Sequence, residues 1–344
     1  MRLLSMVVGA FFLLGTASGA YAQSSLTGSL DPVKFIIAPE VPGPNETVRI
    51  EAQGIGTFLG DATITWRING TAVLSGAGER ILDFTVGGLG VRTVVDVVVS
   101  SASKGSISRS FIFIPSAVNL IWEADTSVPP LFRGKSLYSA GSPLTIMAFP
   151  TVIANGRTIS SNNFSFQWSR NGSSLPNQSG LGRDTLSFIG DQLRDREVIS
   201  VDVYFENVLV GRGSITIPAV QPLLLLYERD PLLGIRYDNA LPSPFNLTKT
   251  ETTLLAQPFY FSNTSIKNDR LSFEWTIEGR EVTGPNTAEG LITVRRTGSG
   301  SGENRLRVQL QNTDEGAYIQ AAETAVRILF GEERNSILPS LFGI

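Results

Sequence analysis

Apolar and polar positions alternate with a period of two along much of this chain. In the stretch Ala62–Ile68, Ile64, Trp66 and Ile68 fall on one side and Thr63, Thr65 and Arg67 on the other. Phe164, Phe166 and Trp168 oppose Ser165, Gln167 and Ser169 in the same way, and Leu271, Phe273, Trp275 and Ile277 oppose Ser272, Glu274 and Thr276. Successive side chains of a strand point to opposite faces, so each stretch predicts a strand buried on one side. A helical period of useful length is found nowhere.

The three stretches are copies of one pattern. Their tryptophans lie 102 and 107 residues apart, and a glycine follows each at the same offset, in Asn69-Gly70, Asn171-Gly172 and Glu278-Gly279. Asn-Gly tolerates the positive φ of a tight hairpin, so a turn and a returning strand should follow each tryptophan strand. A β-branched block comes next in every copy: Val91–Val99, Glu197–Phe205 and Arg305–Leu310. Each copy therefore holds six or seven short strands over roughly 85–110 residues, the signature of a two-layer immunoglobulin-like sandwich. The predicted organisation is a signal peptide over 1–22, a linker over 23–31, sandwiches over 32–116, 117–220 and 221–330, and a tail over 331–344. Trp66, Trp168 and Trp275 take the core position on the third strand. Without cysteine, packing alone must hold each core together.

Units two and three share a further segment. Ile114-Pro115 and Ile217-Pro218 lead into apolar strands that end in Trp122-Glu123-Ala-Asp125 and Tyr227-Glu228-Arg-Asp230. A loop of about 20 residues is expected after each, and loops of that length are often functional. Glu123, Asp125, Glu228 and Asp230 can cap those loops or bind their backbone amides. As hard oxygen ligands recurring beside an aromatic residue, they are also candidates for calcium, although no Asp-x-Asp-x-Asp-Gly loop accompanies them. Trp122, Phe132, Tyr138, Tyr227 and Tyr237 are the aromatic residues of these segments. They are read either as core filling or as contacts for a protein partner or a sugar.

Trp-x-x-Asn-Gly followed by a valine-rich strand resembles the PKD and other immunoglobulin-like domains of exported bacterial proteins. The segment Tyr227–Gly234 with Ala240-Leu241 resembles secreted multi-domain proteins of candidate-phylum-type bacteria. Asn-Gly or Glu-Gly stands where the PKD pattern has Gly-Asp-Gly. The resemblance implies an all-β chain of tandem sandwiches with a structural or adhesive role in the periplasm, at the cell surface or outside the cell.

The N-terminus fits export. Arg2 precedes the apolar run from Leu3 to about Gly15, and Ala20-Tyr21-Ala22 is a small-x-small cleavage signal, so the mature chain is expected to start at Gln23. The membrane is then met only before cleavage. The net charge of −3 and the lack of a basic run argue against nucleic acid as a partner.

Candidate chemistry is sparse. With 0 His and 0 Cys the commonest general base and metal ligand are missing, and only Ser-Lys or carboxylate-based schemes remain for nucleophilic catalysis. Of the few lysines only Lys104 stands in a Ser-x-x-Lys pattern, three residues after Ser101. Gly54–Gly60 lacks the spacing and the following helix of a phosphate loop and reads as a turn. A non-catalytic protein without a cofactor is expected, acting through protein contacts in the envelope or a surface appendage. Carbohydrate binding by the loop aromatics is the alternative.

Overall fold

The computed structural model describes residues 33–54, 59–154, 156–267, 270–312 and 320–331. The expected signal peptide and linker, part of the Gly54–Gly60 turn and the tail beyond Gly331 lie outside the described residues.

The first unit runs β1 (Val33–Ala38), β2 (Thr47–Gly54), β3 (Ala62–Ile68), β4 (Thr71–Ala77), β5 (Ile81–Thr85), β6 (Thr93–Ser101) and β7 (Gly105–Phe113). One sheet has the order β1-β2-β5 and the other β4-β3-β6-β7. The second unit repeats this plan. It contains β8 (Ala117–Ala124), β9 (Pro143–Thr151), the short pair β10 (Ile153–Ala154) and β11 (Arg157–Thr158), β12 (Ser165–Arg170), β13 (Ser173–Ser174), β14 (Gly180–Leu181), β15 (Thr185–Ile189), β16 (Arg196–Phe205) and β17 (Val208–Pro218). Its sheets are β15-β9-β8 and β13-β12-β16-β17, with β14 against β12.

The third unit adds strands to the same frame. Its elements are β18 (Leu223–Asp230), β19 (Gly234–Ala240), β20 (Phe245–Leu247), β21 (Glu251–Phe259), the one-turn α1 (Asn263–Lys267), β22 (Leu271–Ile277), β23 (Arg280–Glu281), β24 (Leu291–Arg295), β25 (Gly302–Asn312) and β26 (Ala321–Phe330). The sheets are β19-β18-β21-β24 and β20-β26-β25-β22-β23, and β20 pairs with β26 in parallel. Here the structure corrects the sequence reading, which expects a long loop after Asp230. The segment instead folds back as β19. The Asp230 carboxylate accepts the Leu232 and Leu233 amides at 2.8 and 3.0 Å, and Gly234 takes φ 79°, closing a hairpin. In the second unit the matching segment, 125–142, is a loop.

Three separate apolar clusters form the cores, one between the two sheets of each unit. Trp66, Trp168 and Trp275 are buried at their centres. Each indole N–H still finds a carbonyl: Glu79 at 2.8 Å, Arg183 at 2.8 Å and Thr287 at 3.1 Å. The ring contributes its apolar area, about 1.5–3 kcal/mol for a large side chain, without leaving a buried donor unpaired.

The hairpin residue after each tryptophan strand has a second duty. Asn69, Asn171 and Glu278 all take positive φ, at 48°, 52° and 50°. The Asn69 and Asn171 side-chain oxygens accept the Val94 and Val198 amides at 2.9 Å, and a Glu278 carboxylate oxygen accepts the Arg305 amide. Asn and Glu thus share the task of tying the hairpin to the opening of the β-branched strand. This explains how Glu-Gly can replace Asn-Gly in the third unit.

Candidate partner-binding groove

The joint between units two and three positions an open apolar groove. The loop after β8 leaves unit two and pairs with the turn after β21. Thr126 bridges Ser262, the Ser127 amide donates to the Phe261 carbonyl at 2.7 Å, and the Tyr260 amide returns to the Ser127 carbonyl at 2.7 Å. Ser139 Oγ donates to the Tyr260 carbonyl at 2.5 Å. Gln320 joins the two sides: its Oε1 accepts the Ser262 amide at 2.8 Å, and its Nε2 donates to Ser139 Oγ at 2.8 Å and the Ala140 carbonyl at 3.1 Å. Polar groups hidden in a joint must be paired, and these are.

Held in this way, Pro129–Arg133 arches over the outer face of the β19-β18-β21 sheet. That face is unusually apolar. The run Leu223–Tyr227 is hydrophobic on both sides, as in strands covered on both faces. Between loop and sheet lies an open groove of about 820 Å³, lined among others by Leu131, Phe132, Leu225, Tyr227, Ile235 and Tyr237. Phe132 packs edge-on against Phe259 at 5.9 Å, and Tyr227 against Tyr237 at 5.3 Å. The Tyr237 hydroxyl donates to Gln257 Oε1 at 3.2 Å. Burial pushes both tyrosine pKa values up, with Tyr237 adding to the shift at Tyr227. Gly134 makes room for the Phe132 ring: a Cβ there would lie 2.5 Å from it.

Three leucines of the segments that build this region are largely exposed, and Leu131 is the one that lines the groove. Leu131, at φ 63°, is 97% exposed, and Leu232 and Leu233 at the β18–β19 turn are 94% and 77% exposed. Local sequence held a signal for the last two. Asp-Pro-Leu-Leu-Gly is a turn signature with two large apolar residues inside it, and a turn has no core face to hide them.

The structure brings Phe132, Tyr227 and Tyr237 into this one groove and puts Trp122 in another. Lys135 Nζ lies 3.3 Å from the centre of the Trp122 ring, in a shallow trough of about 390 Å³ shared with Ile121 and Met147. Burial lowers the Lys135 pKa, and Glu123 partly offsets the shift. Tyr138, one of the loop aromatics in the sequence reading, is fully buried in the core of unit two.

The four carboxylates serve different local tasks. Asp125 accepts from Asn263 Nδ2 across the joint at 2.8 Å, Glu228 accepts from Lys249 at 2.8 Å and Thr252 at 3.2 Å, and Asp230 caps its turn. Glu123 is exposed beside Lys135. Among the described residues no group of three or more His, Cys, Asp or Glu is placed to hold a metal.

One ionic constellation was not legible in advance. Glu197 occupies the first inward position of β16 and is completely buried. Its oxygens accept from Arg170 Nε at 2.9 Å, Arg170 Nη2 at 2.6 Å, Asn171 Nδ2 at 2.7 Å and the Asp191 amide at 2.7 Å, and the Tyr138 hydroxyl lies at 3.4 Å. Burial pushes the carboxyl pKa up, but the hydrogen bonds from Arg170, Asp191 and Asn171 outweigh it and hold the value below the ordinary glutamate range. Burial likewise raises the Tyr138 pKa, helped by the nearby Glu197 charge. Every lone pair is spoken for, so the cluster acts as a polar plug for the end of unit two.

No family model and no curated protein matches the chain. Among solved structures it is similar to the three N-terminal domains of the highly immunogenic outer capsid protein of bacteriophage RB49, at 11% identity, 87% of this chain, 98% of that one and a TM-score of 0.25. It is also similar to the fibronectin(III)-like modules of Clostridium thermocellum CbhA, at 14% identity over 55% and 95% of the two chains with a TM-score of 0.26. A third likeness is to SGBP-B of the Bacteroides ovatus mixed-linkage glucan utilization locus, solved with a mixed-linkage heptasaccharide, at 11% identity over 86% and 70% with a TM-score of 0.22. By its own sheet orders and cores, the chain is an all-β protein of tandem immunoglobulin-like sandwiches. Among the described residues no helix is long and apolar enough to cross a membrane.

Proposed function

We propose that the protein is exported and non-catalytic, with a structural or adhesive role in the cell envelope or a surface appendage, and that the groove at the second joint takes an apolar segment of a protein partner. On this reading residues 1–22 direct export, and the sandwiches over 32–116, 117–220 and 221–330 present the groove. The observation that carries it is the preformed aromatic groove with the exposed Leu131 in its lining. Leu131 leaves a large apolar side chain in water, at a cost that a partner can recover. The rings inside the groove meet edge to face, and Tyr227 is itself buried. A sugar needs a free ring face, whereas an aliphatic side chain needs a trough, and this geometry favours the second.

The test is binding of labelled full-length protein to the surface of the producing cells. Phe132→Ser and Tyr237→Ser should each weaken binding by about tenfold or more, as expected for central interface aromatics. Protease treatment of the cells should abolish binding, and periodate oxidation of surface glycans should leave it intact. Sensitivity to periodate alone would mark the ligand as a glycan. Binding unchanged in both variants would remove the groove from the function.

A further inference from the structure

The groove at the second joint carries a charge pattern of its own. The carboxylates beside it are already engaged. Both oxygens of Asp238, a lining residue, accept from Arg236, at 3.1 Å from Nε and 3.0 Å from Nη2. Asp230 accepts the Leu232 and Leu233 amides, Glu228 accepts from Lys249 and Thr252, and Glu251 accepts from Arg295. Two guanidinium groups of the same region are not engaged. Arg133 lines the groove, and Arg229 borders it, opposite the lining residue Ile235 in the β18–β19 pair. Both are exposed, and among the described residues neither guanidinium has a hydrogen-bond or ion-pair partner.

Their placement gives a length. Arg133 follows Phe132, which packs on Phe259, and Phe259 lies opposite Leu223 at the start of β18. Arg229 lies near the end of β18 on the face of Leu225 and Tyr227, because side chains alternate along a strand. The two arginines are therefore rooted toward opposite ends of the groove, with about 20 Å of strand between those ends. An extended chain covers that distance in about six residues.

We propose that the protein partner presents an extended segment of about six residues, apolar in the middle and with a carboxylate toward each end, one for Arg133 and one for Arg229. This deepens the reading of the groove as a partner site and rests on it. Arginine suits the task, since its planar fork takes a carboxylate through two hydrogen bonds and keeps its charge. Apolar anchors supply most of the affinity, while the charges fix the register of the segment and speed its encounter. The chain as a whole has a net charge of −3, so an acidic segment is drawn to this place and not to the protein at large.

Binding of labelled full-length protein to producing cells, compared in about 50 mM and about 500 mM sodium chloride, tests this. At the lower salt Arg133→Glu and Arg229→Glu should each weaken binding by about threefold or more, and the double variant by about tenfold or more. The higher salt should weaken the native protein and bring the double variant closer to it, because screening removes attraction and repulsion alike. Arg92→Glu makes the same change of net charge at an exposed site in unit one and should bind as the native protein does. Amidation of the cells' carboxyl groups with a carbodiimide and an amine should abolish binding, and binding that survives it overturns the carboxylates. Equal loss in Arg92→Glu also overturns the proposal, since the effect would then be one of net charge. If Phe132→Ser loses binding while both arginine variants keep it, the charge pattern falls and the groove reading stands. If Phe132→Ser binds fully as well, the groove reading falls and takes this proposal with it.

Discussion

Units two and three share a strand order, a buried tryptophan and a left-handed hairpin residue, yet they close the same end by different means. Unit two places a glutamate where its strand pattern calls for an apolar side chain, and surrounds it with Arg170, Asn171, Tyr138 and the Asp191 amide. Unit three has Leu306 and Ile277 among the residues at that end, and a cavity lined by these and other apolar side chains together with Arg295, Arg296 and Asn304. Hydrogen bonds are directional and fix one arrangement, whereas an apolar opening accepts any filling of suitable size. The polar plug lies beside the joint at which unit three docks in a single register.

The largest effects should come from what the two units have in common. Trp168→Ala and Trp275→Ala should each destabilise their own unit by about 3–5 kcal/mol, since each removes a ring at the centre of a core. Calorimetry of the full chain should show one transition fall in each variant and the other hold. If Trp168→Ala lowers both transitions, the second joint couples the units more strongly than its hydrogen bonds suggest.

The next effect separates the two units. Glu197→Ala should cost unit two about 3 kcal/mol, because Arg170 and the Asp191 amide lose their acceptor in a buried site. The same residue sets a pH dependence. Its folded pKa lies below the unfolded value, so the unfolded chain binds more protons as the solution is acidified. The stabilisation is complete above the unfolded glutamate value of about 4.3 and is lost as pH falls through the folded one. Acid titration followed by calorimetry should lower the unit-two transition, and Glu197→Gln should flatten that dependence. Equal acid sensitivity in the Glu197→Gln protein would transfer the effect to another carboxylate.

Legibility followed range. The sandwich class could be read because a period of two and a fixed Trp-x-x-x-Gly offset are local and occur three times. The β19 hairpin was hidden because Asp230 acts through backbone amides two and three residues ahead, which a loop-length argument does not count. Phe132, Tyr227 and Tyr237 stood out as aromatics in unusual segments, but their meeting in one groove depends on how two units dock. Glu197 reads as an ordinary surface glutamate until the strand register turns it inward. The exposed Leu232 and Leu233 were visible as leucines inside a turn, and their environment was the clue rather than their type.

The smallest effect bears on the joint itself. Gln320 lies 181 residues from Ser139, yet it donates to that hydroxyl while accepting the Ser262 amide, so one side chain stitches unit two to the loop of unit three. Gln320→Ala strands the Ser262 amide in a buried place, and a buried donor without an acceptor costs about 1–3 kcal/mol. That loss belongs to the joint and not to either core. The two calorimetric transitions should therefore separate further, with their individual enthalpies little changed, and limited proteolysis should gain a cut within 125–142. The groove depends on the same loop, so binding to producing cells should weaken in parallel. If Gln320→Ala left the proteolysis pattern as it was, the backbone bridge between Thr126 and Ser262 would suffice to hold the loop, and the groove would owe its shape to strand pairing alone.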